Sequence, residues 1–207
     1  MRLLNGILGT GVNKVGNVIG ATWKGIAYIR QYAIPKNPNT VAQQAVRSKM
    51  RDIGKVFSVL LVQICQKFWD PTAVKMSGYN AAVMTSMKPV LPIPPLKNMV
   101  LCSGQLEPTP FVAGTYDADT GMVSAGFDAT CLGNGLATDK TVLAVYDAEH
   151  LVGFVNDSGI VRSATTITIN IGAGRTLSEI VAWVFFYRGT AAPYLQSGSV
   201  GFEPQEP

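Results

Sequence analysis

The chain has 207 residues, 47% hydrophobic and 14% charged, which excludes intrinsic disorder and supplies the apolar material for one large domain or two modest ones. Its net charge of +4 hides a division: residues 1–97 hold thirteen Lys/Arg and two acids (+11), and residues 98–207 hold four and eleven (−7). No run reaches the roughly eighteen apolar residues of a membrane span. The basic half points to a polyanion, an acidic protein surface or head-to-tail association of copies, against the plainer alternative of two domains of unlike composition.

Residues 1–36 are punctuated by Gly6, Gly9, Gly11, Gly16, Gly20 and Gly25. Asn5 and the first glycines interrupt the apolar start, no convincing cleavage site follows, and the N-terminus reads as mature sequence rather than a signal peptide. Gly9-Thr10-Gly11 lacks both the phosphate-loop lysine pattern and a strand-then-helix frame. β-Formers at Val18-Ile19 and Ile26–Ile29 predict two short strands between Val15 and Tyr32, turning at Lys24-Gly25. Trp23, Lys24, Tyr28 and Arg30 interleave aromatic and basic side chains on this hairpin. They suit stacking with phosphate neutralisation, or an arm that pairs by strand addition with a neighbour, or a small structural hairpin.

Thr40 with Gln43 three residues on has capping-box spacing and predicts a helix start. Val46, Met50, Ile53, Phe57, Leu60, Ile64 and Phe68 recur in steps of three and four, one helix face, which runs to the stop at Trp69-Asp70-Pro71. Such a helix spans about 45 Å, with Gly54 as a place to bend. Arg47, Lys49, Arg51 and Lys55 crowd its first half opposite the apolar stripe, either as a docking surface for phosphate or an acidic partner or as an ordinary solvated face. Met76, Tyr79, Val83 and Met87 predict a second helix from about Ala73 to Met87. Four prolines in Pro89–Pro95 then predict a semi-rigid linker at 89–97.

Beyond it the period changes to two. Strands are expected at Val100–Leu106, Gly121–Asp128, Thr141–Asp147, Leu151–Asn156, Thr165–Ile171, Ile180–Tyr187 and Gly198–Phe202, separated by Gly/Asn/Asp turns. About seven strands in this length is the pattern of an immunoglobulin-like sandwich. Ile180–Tyr187 is apolar on both faces and must be central or covered by another subunit.

Little in the sequence speaks for catalysis. The lone His150 lies in a predicted turn with no nucleophile in view. Cys65, Cys102 and Cys131 match no metal spacing and read as free thiols, Cys65 in a core; a Cys102–Cys131 pairing across the β-domain is the alternative. Asp117, Asp119 and Gly121 lack the closing Glu of a calcium loop and read as a turn.

Gly16–Gly20, Trp23-Lys24-Gly25, Tyr28-Ile29-Arg30, Asn37–Thr40, Gln43 or Gln44, Arg47, Trp69 and Tyr79-Asn80-Ala81 together resemble a family of small uncharacterised phage and prophage proteins, notably of Bacteroidota. The resemblance covers about residues 5–88 and extends more loosely to Asp139–Leu143 and the closing aromatic strand. It implies a virion or virion-associated structural protein with no catalytic residues to carry over. The expected fold is α+β: a β-hairpin arm (1–36), a helical segment of one long and one short helix (37–88), a linker (89–97) and an immunoglobulin-like all-β sandwich (98–207). The expected function is a non-enzymatic capsid, connector or tail component without cofactor or metal. It would act in the virion after residence in the host cytoplasm, with copies of itself and other virion proteins as partners and no membrane. Its contacts would be Trp23, Lys24, Tyr28, Arg30, Arg47, Lys49, Arg51 and Lys55. Nucleic-acid binding by the basic half is the alternative.

Overall fold

The structure is a computed structural model that describes residues 13–23, 26–34, 36–87, 96–110, 112–131 and 133–207. The chain forms two compact units, Met1–Thr40 and Val41–Pro207, and its fold is mixed α+β with antiparallel sheets.

The first unit is a three-stranded antiparallel sheet of β1 (Asn13–Val15), β2 (Val18–Trp23) and β3 (Ile26–Gln31). Gly16-Asn17 joins β1 to β2 in a two-residue turn, with Gly16 at φ +58°, where a side chain would be strained. The expected hairpin is therefore the last two strands of a three-stranded sheet. Trp23 pairs with Ile26. The expected turn at Lys24-Gly25 lies outside the described residues.

The second unit opens with α1 (Val41–Val59), which passes through Leu60 into a π-helical segment (Leu61–Trp69). Here Asp70 N–H reaches back five residues to Cys65 O at 2.9 Å. The wider turn brings residues four and five apart to one face, so Ile64, Cys65, Phe68 and Trp69 are all buried. The predicted helix thus reaches Trp69, but with a changed hydrogen-bond ladder. A turn follows, and α2 (Gly78–Met87) begins five residues later than expected, because Pro71 and the left-handed Lys75 (φ +58°) interrupt the chain. Glycine is needed at 78, where a Cβ would lie 2.5 Å from the Asp70 backbone nitrogen.

The remaining strands are β4 (Val112–Asp117), β5 (Met122–Phe127), β6 (Lys140–Asp147), β7 (Val152–Asn156), β8 (Thr166–Asn170), β9 (Ile180–Arg188), β10 (Leu195–Gln196) and β11 (Val200–Phe202). They make two sheets: β10-β9-β6-β7 with β11 also on β9, and β4-β5-β8. Six of the seven expected strands are present. Val100–Leu106 is instead an irregular stretch tied down by Ser199 Oγ, which accepts from Leu101 and Cys102 N–H at 2.8 and 3.2 Å.

β9 and β6 organise the core by strict alternation. Val181, Trp183, Phe185 and Tyr187, with Val142, Ala144 and Tyr146, pack against α1, the π-helical segment and α2. Ile180, Ala182, Val184 and Phe186, with Leu143 and Val145, pack against the β4-β5-β8 sheet. The two-faced apolar strand is covered by the protein's own helices on one side and its second sheet on the other. Trp69 Nε1–H donates to Leu101 O at 3.0 Å, and Gln196 Nε2–H to Phe68 O at 3.2 Å, tying the helices to the β-region. The expected division at 89–97 is not a structural one, since helices and sheets share a core and the break falls after Thr40. Residues 89–95 of that linker lie outside the described residues.

Candidate assembly interface

The exposed face of α1 is the most distinctive surface. Arg47, Arg51 and Lys55 follow at intervals of four and form one exposed ridge opposite the buried stripe of Ile53, Val56, Phe57 and Leu60. Asp52 is the only acid in the helical run 41–69. Among the described residues, neither Arg51 nor Lys55 has an ion-pair partner. Beside the ridge the apolar stripe emerges from the core: Val46 and Met50, expected to pack inward, are 50% and 57% exposed, because the first turns of α1 run past the edge of the core. A shallow groove of about 360 Å³ lined by Ala42, Gln43, Val46 and Arg47 adjoins them. This part of α1 therefore combines cations with exposed methyl and thioether groups.

Lys49 is not part of that surface. It is 7% exposed and donates from Nζ to the Met87 carbonyl oxygen at 2.8 Å. Met87 ends α2, where unsatisfied carbonyls and the helix dipole favour a cation. Lys49 is a helix cap, and its expected place in a contact surface is corrected on that ground.

In the arm, Trp23 pairs with Ile26 at the end of β2, and the register sets Ile19 and Ala21 opposite Arg30 and Tyr28, so the pleat assigns these last four positions to one face of the sheet. Arg30 and Ile26 are exposed and Tyr28 is half-buried. β3 is an edge strand of this sheet.

Other chemistry-bearing groups are engaged in the fold. His150 Nδ1 lies 2.8 Å from Asp147 Oδ2, and Asp147 also accepts from Arg175 and from the Glu149 and His150 N–H groups. Burial opposes the Asp147 charge, but these donors outweigh it and hold the carboxyl below its usual range. Among the described residues the other His150 ring nitrogen has no hydrogen bond, so no nucleophile is attached to this pair. All three cysteines are free. Burial, then the nearby Asp70 charge, pushes the Cys65 thiol up to about 12, and burial raises Cys102 as well. Cys131 is exposed. Sequence reasoning missed Lys67, whose ammonium pairs with Asp157 and lies 5.2–5.6 Å from the ring centres of Phe68, Tyr187 and Tyr194. It missed Arg162 too, fully buried over the Phe186 ring. Among the described residues no group of three His, Cys, Asp or Glu side chains is placed to hold a metal ion.

Fold and surface together define a mixed α+β protein with a separate three-stranded arm and an exposed basic helix. The chain belongs to DUF6266, a family of unknown function, whose model matches residues 9–191. No curated protein matches it.

Proposed function

We propose that this protein is a non-enzymatic structural component of a phage virion, part of a capsid, connector or tail. It assembles with copies of itself and with other virion proteins through its basic arm and helix, after residence in the host cytoplasm. The observation that carries the assembly reading is the Arg47–Arg51–Lys55 ridge with Val46 and Met50 exposed beside it. Like charges four apart destabilise a helix by about 0.2–0.5 kcal/mol per pair, and a partner bearing carboxylates would relieve that. The virion assignment rests on the resemblance of the segments from Gly16 to Ala81 to phage and prophage proteins. The two packed sheets support the finer reading of an immunoglobulin-like sandwich, with the helices as an added layer on its larger sheet. Light scattering of the purified chain at about 50 mM and 500 mM salt tests the assembly. A discrete oligomer or particle formed without nucleic acid is expected, and a persistent monomer would refute it.

A second reading, nucleic-acid binding, is favoured by the shared face of Tyr28 and Arg30 in a half of charge +11. It requires binding to short DNA or RNA that weakens steeply with salt. Absence of binding at about 50 mM salt removes it.

A further inference from the structure

The two sheets of the second unit differ at their edges. β4 ends the smaller sheet, and the chain covers it with the segment around Gln205: Tyr116 N–H donates to Gln205 O at 2.8 Å, and Gln205 N–H to Gly114 O at 2.9 Å. β7 ends the larger sheet, and among the described residues no strand or bridge pairs along its outer side. The direction of its backbone groups follows from β6. Ala148 N–H bonds to Glu179 O on the β9 side of that strand, and Thr141 N–H to Ile160 O at 2.7 Å on the other side, so odd-numbered residues of β6 serve the β7 side. Leu143, Val145 and Asp147 therefore hold their opposites Asn156, Phe154 and Val152. Gly153 and Val155 turn their N–H and C=O groups away from β6, and among the described residues neither makes a hydrogen bond there. Native edges are commonly blunted by a charge or a proline. Val152–Asn156 has neither, and the whole strand is half-buried. Leu151, 47% exposed, stands at its start.

We propose that β7 pairs antiparallel with β7 of a second copy about a two-fold axis at Phe154, joining the two larger sheets edge to edge. Gly153 of each copy then faces Val155 of the other, and each such pair exchanges both backbone bonds, so the outward groups of the two residues are satisfied. The occupant is a second copy because the edge is its own complement in this register. Its outward residues stand symmetrically about Phe154, and the uncharged strand meets itself without a like-charge cost. The flanks are complementary in charge. Antiparallel pairing carries the β6–β7 turn, with the exposed Glu149, toward the far end of the other copy's β7. There Lys67 pairs with Asp157, which accepts from the Tyr187 hydroxyl at 2.7 Å, and Lys140 lies 5.7 Å from the centre of that tyrosine ring. Lys140 has no ion pair among the described residues and leaves this end positive. Leu151 adds apolar contact. The interface is separate from the arm and helix proposed above and does not depend on them.

The test uses the full chain at about 500 mM salt, where charge contacts of the arm and helix are screened and backbone bonds are not. Light scattering at about 100 μM is expected to give twice the 22.1 kDa mass of the chain. Val155→Pro deletes an outward N–H without touching a bond to β6 and should weaken the dimer at least about tenfold. Val155→Ala keeps that N–H and should retain the dimer, and far-UV circular dichroism verifies that both variants fold. Hydrogen exchange of the wild type gives a reading free of variants. The Gly153 and Val155 amides should slow at least about tenfold between about 1 μM and about 100 μM, while the Phe154 amide, already bonded to Val145, stays unchanged. A monomer at about 500 mM salt that assembles at about 50 mM overturns the edge pairing and leaves the assembly reading standing. A dimer that Val155→Pro forms equally well, or whose Gly153 and Val155 amides exchange at one rate at both concentrations, overturns it too. A dimer that Val155→Pro abolishes and that grows no larger at low salt upholds the pairing and counts against assembly through the arm and helix.

Discussion

Replacing Phe68 with alanine tests whether helices and sheets unfold as one body. Phe68 is 1% exposed, and its ring lies 5.0 Å from Phe185, 5.3 Å from Tyr187 and 5.6 Å from Tyr194, centre to centre. Truncating a buried Phe costs about 3–5 kcal/mol, and losing edge-on aromatic partners places this site near the top of that range. For a unit of this size each kcal/mol lowers the melting temperature by about 2–4 °C, so a fall of about 10–15 °C is expected. The assay is thermal unfolding followed by far-UV ellipticity, together with hydrogen exchange of amides in α1 and α2 and in β6 and β9. Because Phe68 belongs to the π-helical segment and its ring packs on Phe185 and Tyr187 of β9, protection should fall in both sets together. Loss of helix protection with the β6 and β9 amides unchanged would show that the shared core does not couple them, and the reasoning would fail.

Three further outcomes follow from buried polar groups. Arg162 donates from Nη1 to Glu107 O (3.0 Å) and from Nη2 to Thr130 O (3.1 Å) and Pro108 O (3.4 Å). A lysine ammonium cannot reproduce this planar fork, so Arg162→Lys should cost at least about 2 kcal/mol by urea titration; a near-neutral result would refute the assignment. With Cys65 raised to about 12 and Cys102 raised also, both thiols stay protonated and shielded near pH 8, so alkylation read by mass should modify one cysteine, Cys131, in native protein and three after denaturation. The folded Asp147 carboxyl, held below its ordinary range, binds its proton less readily than in the unfolded chain. Its stabilisation is present above about pH 4 and lost as pH falls through the folded value. Asp147→Asn should flatten the acid side of the stability profile in denaturant titrations, and an unchanged slope would contradict the linkage.

What was legible depended on whether the physics was local. β5 to β9 are short alternating or continuously apolar runs between turn residues, and their bounds lie within two residues of expectation. β4 was missed because Ala113-Gly114-Thr115 offers no apolar alternation. Gly114 is small because Phe202 lies against it, a Cβ there being 2.2 Å from the ring, and that reason stands nearly ninety residues away in sequence. The two-faced apolar pattern of β9 demanded a cover, but nothing local said that the cover is the chain's own helices. The π-helical ladder was equally hidden, since Leu60, Ile64 and Phe68 at steps of four suit an ordinary helix as well. On α1, spacing alone placed Arg47, Arg51 and Lys55 on one ridge. It could not separate Lys49 from them, because that side chain's acceptor is the end of a helix 38 residues further on.

Lys49 and its neighbours also show how a cation with an intramolecular role differs from one without. Lys49 is buried against a carbonyl at 2.8 Å, so Lys49→Met, which keeps the packing and deletes the bond, should cost about 1–3 kcal/mol of stability and leave self-association unchanged. The ridge should behave in the opposite way. Among the described residues Arg51 and Lys55 lie exposed with no acid paired to them, and a single Glu at 51 would relieve both like-charge spacings within the helix. Arg51→Glu is therefore expected to hold or raise stability by a few tenths of a kcal/mol while weakening association in light scattering. Salt should separate the two sites again: screening at about 0.5 M reaches less than about 8 Å, dissolving contacts made by the ridge while the buried Lys49 bond persists. If Arg51→Glu destabilises the fold and leaves association intact, the ridge is a structural element like Lys49, and its exposure has no bearing on assembly.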